Sequence, residues 1–115
     1  MGPGDIVLVK FPFTNLKSEK KRPALVLQST PFSRSMDLYT IAMITSQVDG
    51  IQLKGDVHLK DWEGSGLLHP SIVRLSKLAT VDSEIAERKL GTIALKDRKQ
   101  IQNRIYELFS YWLQK

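Results

Sequence analysis

The run IVLVKF, residues 6–11, decides the class of fold to which this chain belongs. Its apolar residues follow one another almost without interruption, a pattern typical of a strand that is buried on both faces. Pro12 comes next and should end the strand, because proline has no N–H group to donate to a central ladder. The sequence therefore predicts a β-rich core that begins near the N-terminus.

Further short strands are predicted up to about residue 95. They cover residues 24–28, 38–45, 56–60, 71–75 and 78–81. Pro23 should begin the first of them, and the last two are equally consistent with one long bent strand. Residues 56–60 alternate apolar and polar side chains, which predicts a half-exposed strand. Asp82 should begin a short helical turn.

After Leu95 the apolar residues recur at intervals of three and four, the period of an α-helix. The stripe comprises Ile101, Ile105, Leu108, Phe109, Trp112 and Leu113. This spacing predicts that the whole stripe, Trp112 included, packs on the sheet, and Asp97 near the start suits the helix dipole. The elements together give a mainly β fold with helices (α+β), in which a small curved sheet or barrel carries a C-terminal helix.

The composition limits the classes of function. The 115 residues predict a single domain over residues 1–115. There are 17 Lys and Arg against 12 Asp and Glu, a net charge of +5, which suits nucleic acid, anionic lipid or an acidic protein as partner. Cysteine is absent, so thiol catalysis and disulfides are excluded, and a reducing cytoplasm is the simplest expectation. No apolar run approaches the roughly 20 residues that span a membrane.

The strongest local signal is a cluster of cations just before the strand at Pro23. Lys17, Lys20, Lys21 and Arg22 lie within six residues. A guanidinium on a fixed backbone can grip phosphate through two donors. The same run could instead be a solvated face, which is the commoner use of charges in loops.

Thr45, Ser46 and Gln47 form a second signal at the end of an apolar strand. Hydroxyl groups there can donate to phosphate oxygens, although a plain strand-end turn would look alike. Two histidines could in principle exchange protons during RNA cleavage. His58 lies on a half-exposed strand and His69 beside Pro70, positions more typical of surface or partly packed side chains. No spacing of ligands indicates a metal site.

A set of short motifs runs in order along nearly the whole chain. They are GDIVLV (4–9), FPF (11–13), SE (18–19), RPALVL (22–27), ITSQ (44–47), GL (66–67), SIV (71–73) and LATVD (78–82). This set resembles the MazF/PemK toxin family. The FPFT signature at residues 11–14 resembles the PemK-like branch. Only Lys20 and Lys21 separate Glu19 from Arg22, where the family usually has a longer stretch containing glycine.

The resemblance implies a small SH3-like β-barrel with a C-terminal helix, built as a homodimer. It implies the toxin of a type II toxin–antitoxin system: an endoribonuclease that needs neither metal nor cofactor and is inhibited by an acidic antitoxin. The expected reaction cleaves single-stranded RNA at short sequences and leaves 2′,3′-cyclic phosphate and 5′-hydroxyl ends.

Site residues follow from the resemblance at matched positions only. It assigns catalysis to Arg22 and Thr45, with Glu19 as the base, and it implies that Arg22 also passes a proton to the leaving oxygen. The two local signals described above, rather than the resemblance, indicate the RNA-binding residues: the cation cluster through Lys17, Lys20 and Lys21, and the polar strand end through Ser46 and Gln47. Two alternatives stay open: a catalytically weak module of the same fold that binds RNA or antitoxin, and a toxin of this fold that acts on gyrase.

Overall fold

The computed structural model describes residues 1–11 and 20–114, which form six β-strands and a helical C-terminal segment. The strands are β1 (Asp5–Phe11), β2 (Lys20–Pro31), β3 (Asp37–Thr45), β4 (Asp56–His58), β5 (Ile72–Asp82) and β6 (Ala86–Thr92). A 3-10 turn (Ser83–Ile85) precedes β6, and two helices follow it, α1 (Leu95–Leu108) and α2 (Ser110–Leu113). The prediction of a mainly β fold with a C-terminal helix is confirmed.

All six strands belong to one antiparallel sheet with the order β4-β5-β3-β2-β1-β6. The central position of β1 explains why residues 6–11 are so apolar. Among the described residues no pairing joins β4 to β6, so these two strands are the edges of the sheet. Closure into an SH3-like barrel is therefore not among the observed pairings.

The two faces of the sheet carry separate apolar clusters, because successive side chains of a strand point to opposite faces. Ile6 and Leu25 belong to the first cluster, whereas their neighbours Val7 and Val26 belong to the second. All four side chains are buried. The burial of β1 on both faces, predicted from its composition, is confirmed.

Helix α1 covers the first cluster. Ile101 is buried there, and Ile105 and Leu108 pack beside it as predicted. The C-terminal part of the stripe does not pack on the sheet as predicted. Trp112 is 79% exposed, so its predicted place in the core is wrong. The reason is that α1 ends at Leu108 and Phe109 leaves helical backbone angles (φ −105°, ψ 18°), which breaks the phase of the stripe. No helix among the described residues is long and apolar enough to cross a membrane.

Two strands, β2 and β4, differ in extent from the predictions, and a choice left open for residues 71–81 is decided. β2 begins at Lys20 rather than at Pro23. Its first residues pair with β1 alone, and a proline is tolerated where one side of a strand has no partner. β4 is only three residues long. Of the two forms considered for residues 71–81, one long strand, β5, is observed, and its register shifts opposite Ala42 and Met43.

Candidate functional site

The backbone of β2 and β3 sets the position of Arg22. Arg22 lies within β2, opposite Val9 of β1. On the other side, the ladder between β2 and β3 ends at the pair Ala24 and Met43, next to Pro23, which has no N–H to continue it. The register of that pair, extended by two residues, places Arg22 beside Thr45. The two strands part at this point, and the space between them opens to solvent.

Arg22 lies at the boundary of two cavities. The first, named here the His69 cavity, has a volume of about 380 Å³ and lies between the start of β2, β6 and the loop 59–71. Its lining is partly apolar, with Leu8 and Leu90 among the residues, and partly polar, with Ser46, His69 and Arg88. The second, the Thr45 cavity, has a volume of about 460 Å³. Its lining includes Met43, Thr45, Gln47, Arg74 and Lys77, and Arg22 lines both cavities.

The charges that line the cavities are all positive among the described residues. Lys21, Arg22 and Arg88 line the His69 cavity, and Arg22, Arg74 and Lys77 line the Thr45 cavity. Clefts lined by charge of one sign focus the field and concentrate counter-ions. This arrangement suits a polyanion that passes over both cavities and across Arg22.

The cations differ in how far they are already paired. No described residue forms a hydrogen bond or ion pair with the guanidinium of Arg22. Lys21 lies 3.0 Å from Glu87, and the hydrogen bond from its ammonium lowers the pKa of that carboxyl against the effect of burial. Arg74 is held more firmly: its guanidinium donates to the carbonyl of Ile51 at 2.6 Å and lies 3.8 Å from Asp56. Arg22, like Arg88 and Lys77, has no such partner among the described residues, and it is the cation that lines both cavities.

The hydroxyl of Thr45 keeps its donor available. Its Oγ1 accepts a hydrogen bond from the backbone N–H of Gln47 at 3.1 Å. A hydroxyl has one hydrogen to donate besides its two acceptor positions. The bond to Gln47 therefore orients the oxygen and leaves the O–H free to donate to a ligand oxygen in the Thr45 cavity.

The loop 59–71, which forms one wall of the His69 cavity, is fastened to the start of α1. The buried carboxylate of Asp97 accepts hydrogen bonds from the backbone N–H groups of Lys60 at 2.7 Å and Asp61 at 2.9 Å. The hydroxyl of Ser65 donates to the carbonyl of Asp61 at 2.9 Å and accepts from the N–H of Ala94 at 3.0 Å. His69 is consequently carried by an anchored loop, and its own carbonyl accepts a hydrogen bond from the Ser71 hydroxyl at 2.8 Å.

Comparison with known proteins identifies the chain. The family model of the PemK-like, MazF-like toxin of type II toxin–antitoxin systems matches residues 2–109. The chain belongs to this family. No curated protein matches it in sequence. Among solved structures, it is similar to the Mycobacterium tuberculosis toxin MazF-mt6, with a TM-score of 0.68 and 21% identity over 92% of this chain and 96% of that one.

Two further structures share the fold of this MazF-like toxin. One is an endoribonuclease in complex with its cognate antitoxin from mycobacterial species, with a TM-score of 0.73 and 11% identity over 96% of this chain and 95% of that one. The other is MazF from Deinococcus radiodurans, with a TM-score of 0.67 and 19% identity over 96% of both chains. At these identities the similarity establishes the MazF-like fold.

The structure brings most of the toxin's predicted site residues to the two cavities. Arg22 and Lys21 line the His69 cavity together with Ser46, and Thr45 and Gln47 line the Thr45 cavity. Lys20 is exposed at the start of β2 and lines neither. Glu19 and Lys17 lie outside the described residues.

Three cavity residues of the toxin, Arg74, Lys77 and Arg88, were not singled out from its sequence. His69 was considered for proton exchange but interpreted as a surface or partly packed side chain. Arg88 lies on β6, a strand that the sequence analysis did not predict. Arg74 and Lys77 lie on β5, and Arg74 interrupts the apolar run IVRL, residues 72–75. A cation inside a buried strand is unusual, and that signal could have identified Arg74. Among the described residues no group of three or more His, Asp or Glu could hold a metal ion.

Proposed function

We propose that this toxin is a sequence-specific endoribonuclease that cleaves single-stranded RNA without a metal ion, leaving 2′,3′-cyclic phosphate and 5′-hydroxyl ends. The observation that carries the proposal is the position of Arg22 at the boundary of two cation-lined cavities, beside Thr45 and with no described partner for its guanidinium. One of the similar structures is itself an endoribonuclease. A phosphate placed at Arg22 would have a nucleotide on either side, one in each cavity.

The reaction needs little beyond charge and proton transfer, because RNA carries its own nucleophile in the 2′-hydroxyl. Attack of this oxygen on phosphorus builds negative charge on the phosphoryl oxygens. Arg22 stabilises that charge, and the Thr45 hydroxyl donates to one of the same oxygens. Glu19 accepts the 2′ proton in this proposal.

The cavities supply binding on both sides of the scissile phosphate. Their volumes of about 380 and 460 Å³ lie in the range of small-molecule sites and can each take a nucleobase. Ser46 and Gln47 would hydrogen-bond to the nucleotides, and Lys17, Lys20 and Lys21 would attract the backbone by charge. Base-dependent contacts in two separate cavities would give a short recognition sequence.

The test is cleavage of a mixed RNA pool in the presence of EDTA, with the ends of the products mapped. We expect cleavage that EDTA leaves unchanged and products with 5′-hydroxyl ends. Arg22→Ala should lower the rate by about a hundredfold or more, the usual effect of removing one donor to a developing oxyanion. The fold should remain intact, because the guanidinium forms no hydrogen bond or ion pair with a described residue.

Arg34→Ala is the matched control. Arg34 is exposed in the loop between β2 and β3 and lines neither cavity. Its replacement should leave the rate unchanged. The proposal is wrong if EDTA stops cleavage, if the products carry 5′-phosphates, or if the two variants are equally active.

The proposal also covers the oligomeric state, the cellular location and the inhibitor of the toxin. It acts as a homodimer in the cytoplasm, with the sheet curved as an SH3-like barrel, and an acidic antitoxin inhibits it. One of the similar structures, the endoribonuclease from mycobacterial species, is a complex with its cognate antitoxin. The net charge of +5 and the cation-lined cavities suit an acidic inhibitor.

A toxin that acts on gyrase is the second candidate, and the exposure of Trp112 favours it. Such a toxin would use an aromatic contact near the C-terminus, and Trp112 is 79% exposed. If this candidate function is right, the protein should inhibit purified gyrase in a supercoiling assay, and Trp112→Ala should remove the inhibition. RNA cleavage without any effect on gyrase would exclude this candidate and support the endoribonuclease.

A further inference from the structure

His69 lies in the same cavity as Arg22, although the sequence offered no reason to join them. It is exposed on the loop 59–71 and lines the His69 cavity together with Arg22, Ser46 and Arg88. The hydrogen bonds of Asp97 and Ser65 to this loop limit how far it can move. His58, the other histidine, instead forms a 2.8 Å hydrogen bond with Gln52 and lines neither cavity.

The proposed cleavage has an unmet chemical requirement at the leaving group. When the P–O5′ bond breaks, the 5′ oxygen needs a proton, because an alkoxide is a poor leaving group. The resemblance gives this task to Arg22, but a guanidinium keeps its protons throughout the physiological range. Histidine is the side chain that ordinarily gains and loses a proton between about pH 5 and 8. Among the described residues that line the two cavities, His69 is the one histidine.

We propose that His69 is the general acid that protonates the leaving 5′ oxygen. This inference rests on the proposed endoribonuclease function and separates two tasks that the resemblance gives to one residue. Arg22 stabilises charge and remains protonated, whereas His69 transfers the proton. Because both residues line the His69 cavity, a phosphate at Arg22 would lie at the edge of the cavity that contains His69.

The proton balance of the step is complete without a further reactant. The 2′ oxygen forms a bond to phosphorus while its proton passes to the base, Glu19 in the proposed function or otherwise water. The P–O5′ bond breaks, and the proton of the His69 imidazolium passes to the 5′ oxygen. The products are a 2′,3′-cyclic phosphate, a 5′-hydroxyl and a neutral imidazole, which takes a proton back from solvent.

The described charged groups around His69 are all cations. Lys21 and Arg22 face the cavity from β2 and Arg88 from β6, and no carboxylate among the described residues lines it. These cations would hold an RNA phosphate in the same cavity as His69.

Replacing the leaving oxygen by sulfur gives the decisive test. An RNA oligonucleotide with a 5′-bridging phosphorothiolate at the cleaved bond releases a thiolate, which departs without a proton. His69→Ala and His69→Gln should slow cleavage of the normal oligonucleotide by about a hundredfold, the usual contribution of a general acid. Both variants should cleave the sulfur-containing oligonucleotide nearly as fast as the wild type does.

His58→Gln is the matched control and should behave as the wild type on both oligonucleotides. Equal losses on the two substrates would make His69 an RNA-binding residue and overturn the proposal, as would variants that cleave normal RNA at the wild-type rate. In both results the wild type still cleaves, so the endoribonuclease function stands. A wild type that cleaves neither oligonucleotide nor the mixed RNA pool would refute the endoribonuclease function, and the role of His69 with it.

Discussion

At the scale of single residues, Asp97 connects the site to the helix. The sequence placed it in the first turn of a helix, where a negative charge suits the dipole, and it does lie in the first turn of α1. Its carboxylate also accepts hydrogen bonds from the backbone N–H groups of Lys60 and Asp61, 37 and 36 positions earlier. The two donors from a distant loop therefore explain why an aspartate can be completely buried at this position.

Asp97→Ala should lower the free energy of unfolding by about 3 kcal/mol, because two backbone N–H groups lose their buried carboxylate acceptor. Urea denaturation of the purified variant measures this loss. Asp82→Ala is the control: Asp82 is exposed at the start of the 3-10 turn and makes no capping hydrogen bond through its side chain. Equal stability of the two variants would show that the loop 59–71 does not depend on Asp97.

At the scale of elements, the loop 59–71 and β6 touch backbone to backbone. Gly66 has a positive φ of +87°, and a Cβ at this position would meet the carbonyl of Leu90. A Cβ on Gly91 would in turn meet the carbonyl of Ser65. The two glycines allow the loop to lie against the strand, and Gly66 and Leu90 at this contact both line the His69 cavity.

Gly91→Ala should destabilise the protein by about 2 kcal/mol, the usual effect of overpacking. It should also lower RNA cleavage, because the loop that carries His69 has to move. Thermal unfolding and the cleavage rate are the two measurements. Gly2→Ala is the matched control, since a Cβ there has nothing within 4 Å. An unchanged melting temperature for Gly91→Ala would mean that the loop and β6 separate without cost.

The sequence predicts the apolar elements well and the polar ones poorly. β1, β3 and residues 101–108 of α1 carry continuous or periodic apolar residues, and their packing follows directly. β6 reads AERKLGT, and its three central charges conceal a strand that pairs with β1 on one side only. Such charges are expected on an edge strand, but they resemble a loop when the sheet is unknown.

The candidate site was predictable only in part, for a related reason. Arg22 and Thr45 were identified because each borders an apolar strand and matches a family motif. His69 and Arg88 come together with them only through the contact of the loop 59–71 with β6. That contact depends on glycines and on hydrogen bonds between distant positions, which leave no periodic pattern in the sequence.

At the scale of the whole molecule, positive charge and exposed apolar surface predict association. Tyr106, Tyr111 and Trp112 are more than 60% exposed near the C-terminus. In the proposed function, a second copy of the chain and an antitoxin bind to such surfaces. An antitoxin segment rich in acidic and apolar residues would use both kinds of contact, apolar anchors for affinity and charges for the rate of encounter.

We expect sedimentation to show a dimer both before and after the cognate antitoxin peptide is added, and we expect the peptide to abolish RNA binding and cleavage together. The reason is that the peptide and the RNA compete for the same cation-lined cavities. A peptide with its acidic residues replaced by amides is the control and should inhibit weakly. A monomer at micromolar concentration, or cleavage that continues with the peptide bound, would contradict this expectation.

The pairing of β1 with β6 has a consequence for the time at which the toxin becomes dangerous to the cell that makes it. Asp5 lies beside Thr92, 87 positions further along the chain. Translation delivers β1 first, and its outer edge has no partner until residues 86–92 have left the ribosome. The His69 cavity beside Arg22 is likewise incomplete until Arg88, one of its lining residues, has been made. A nascent chain that ends before β6 therefore carries Arg22 without the complete cavity, and the candidate site can assemble only after residues 86–92 have been made.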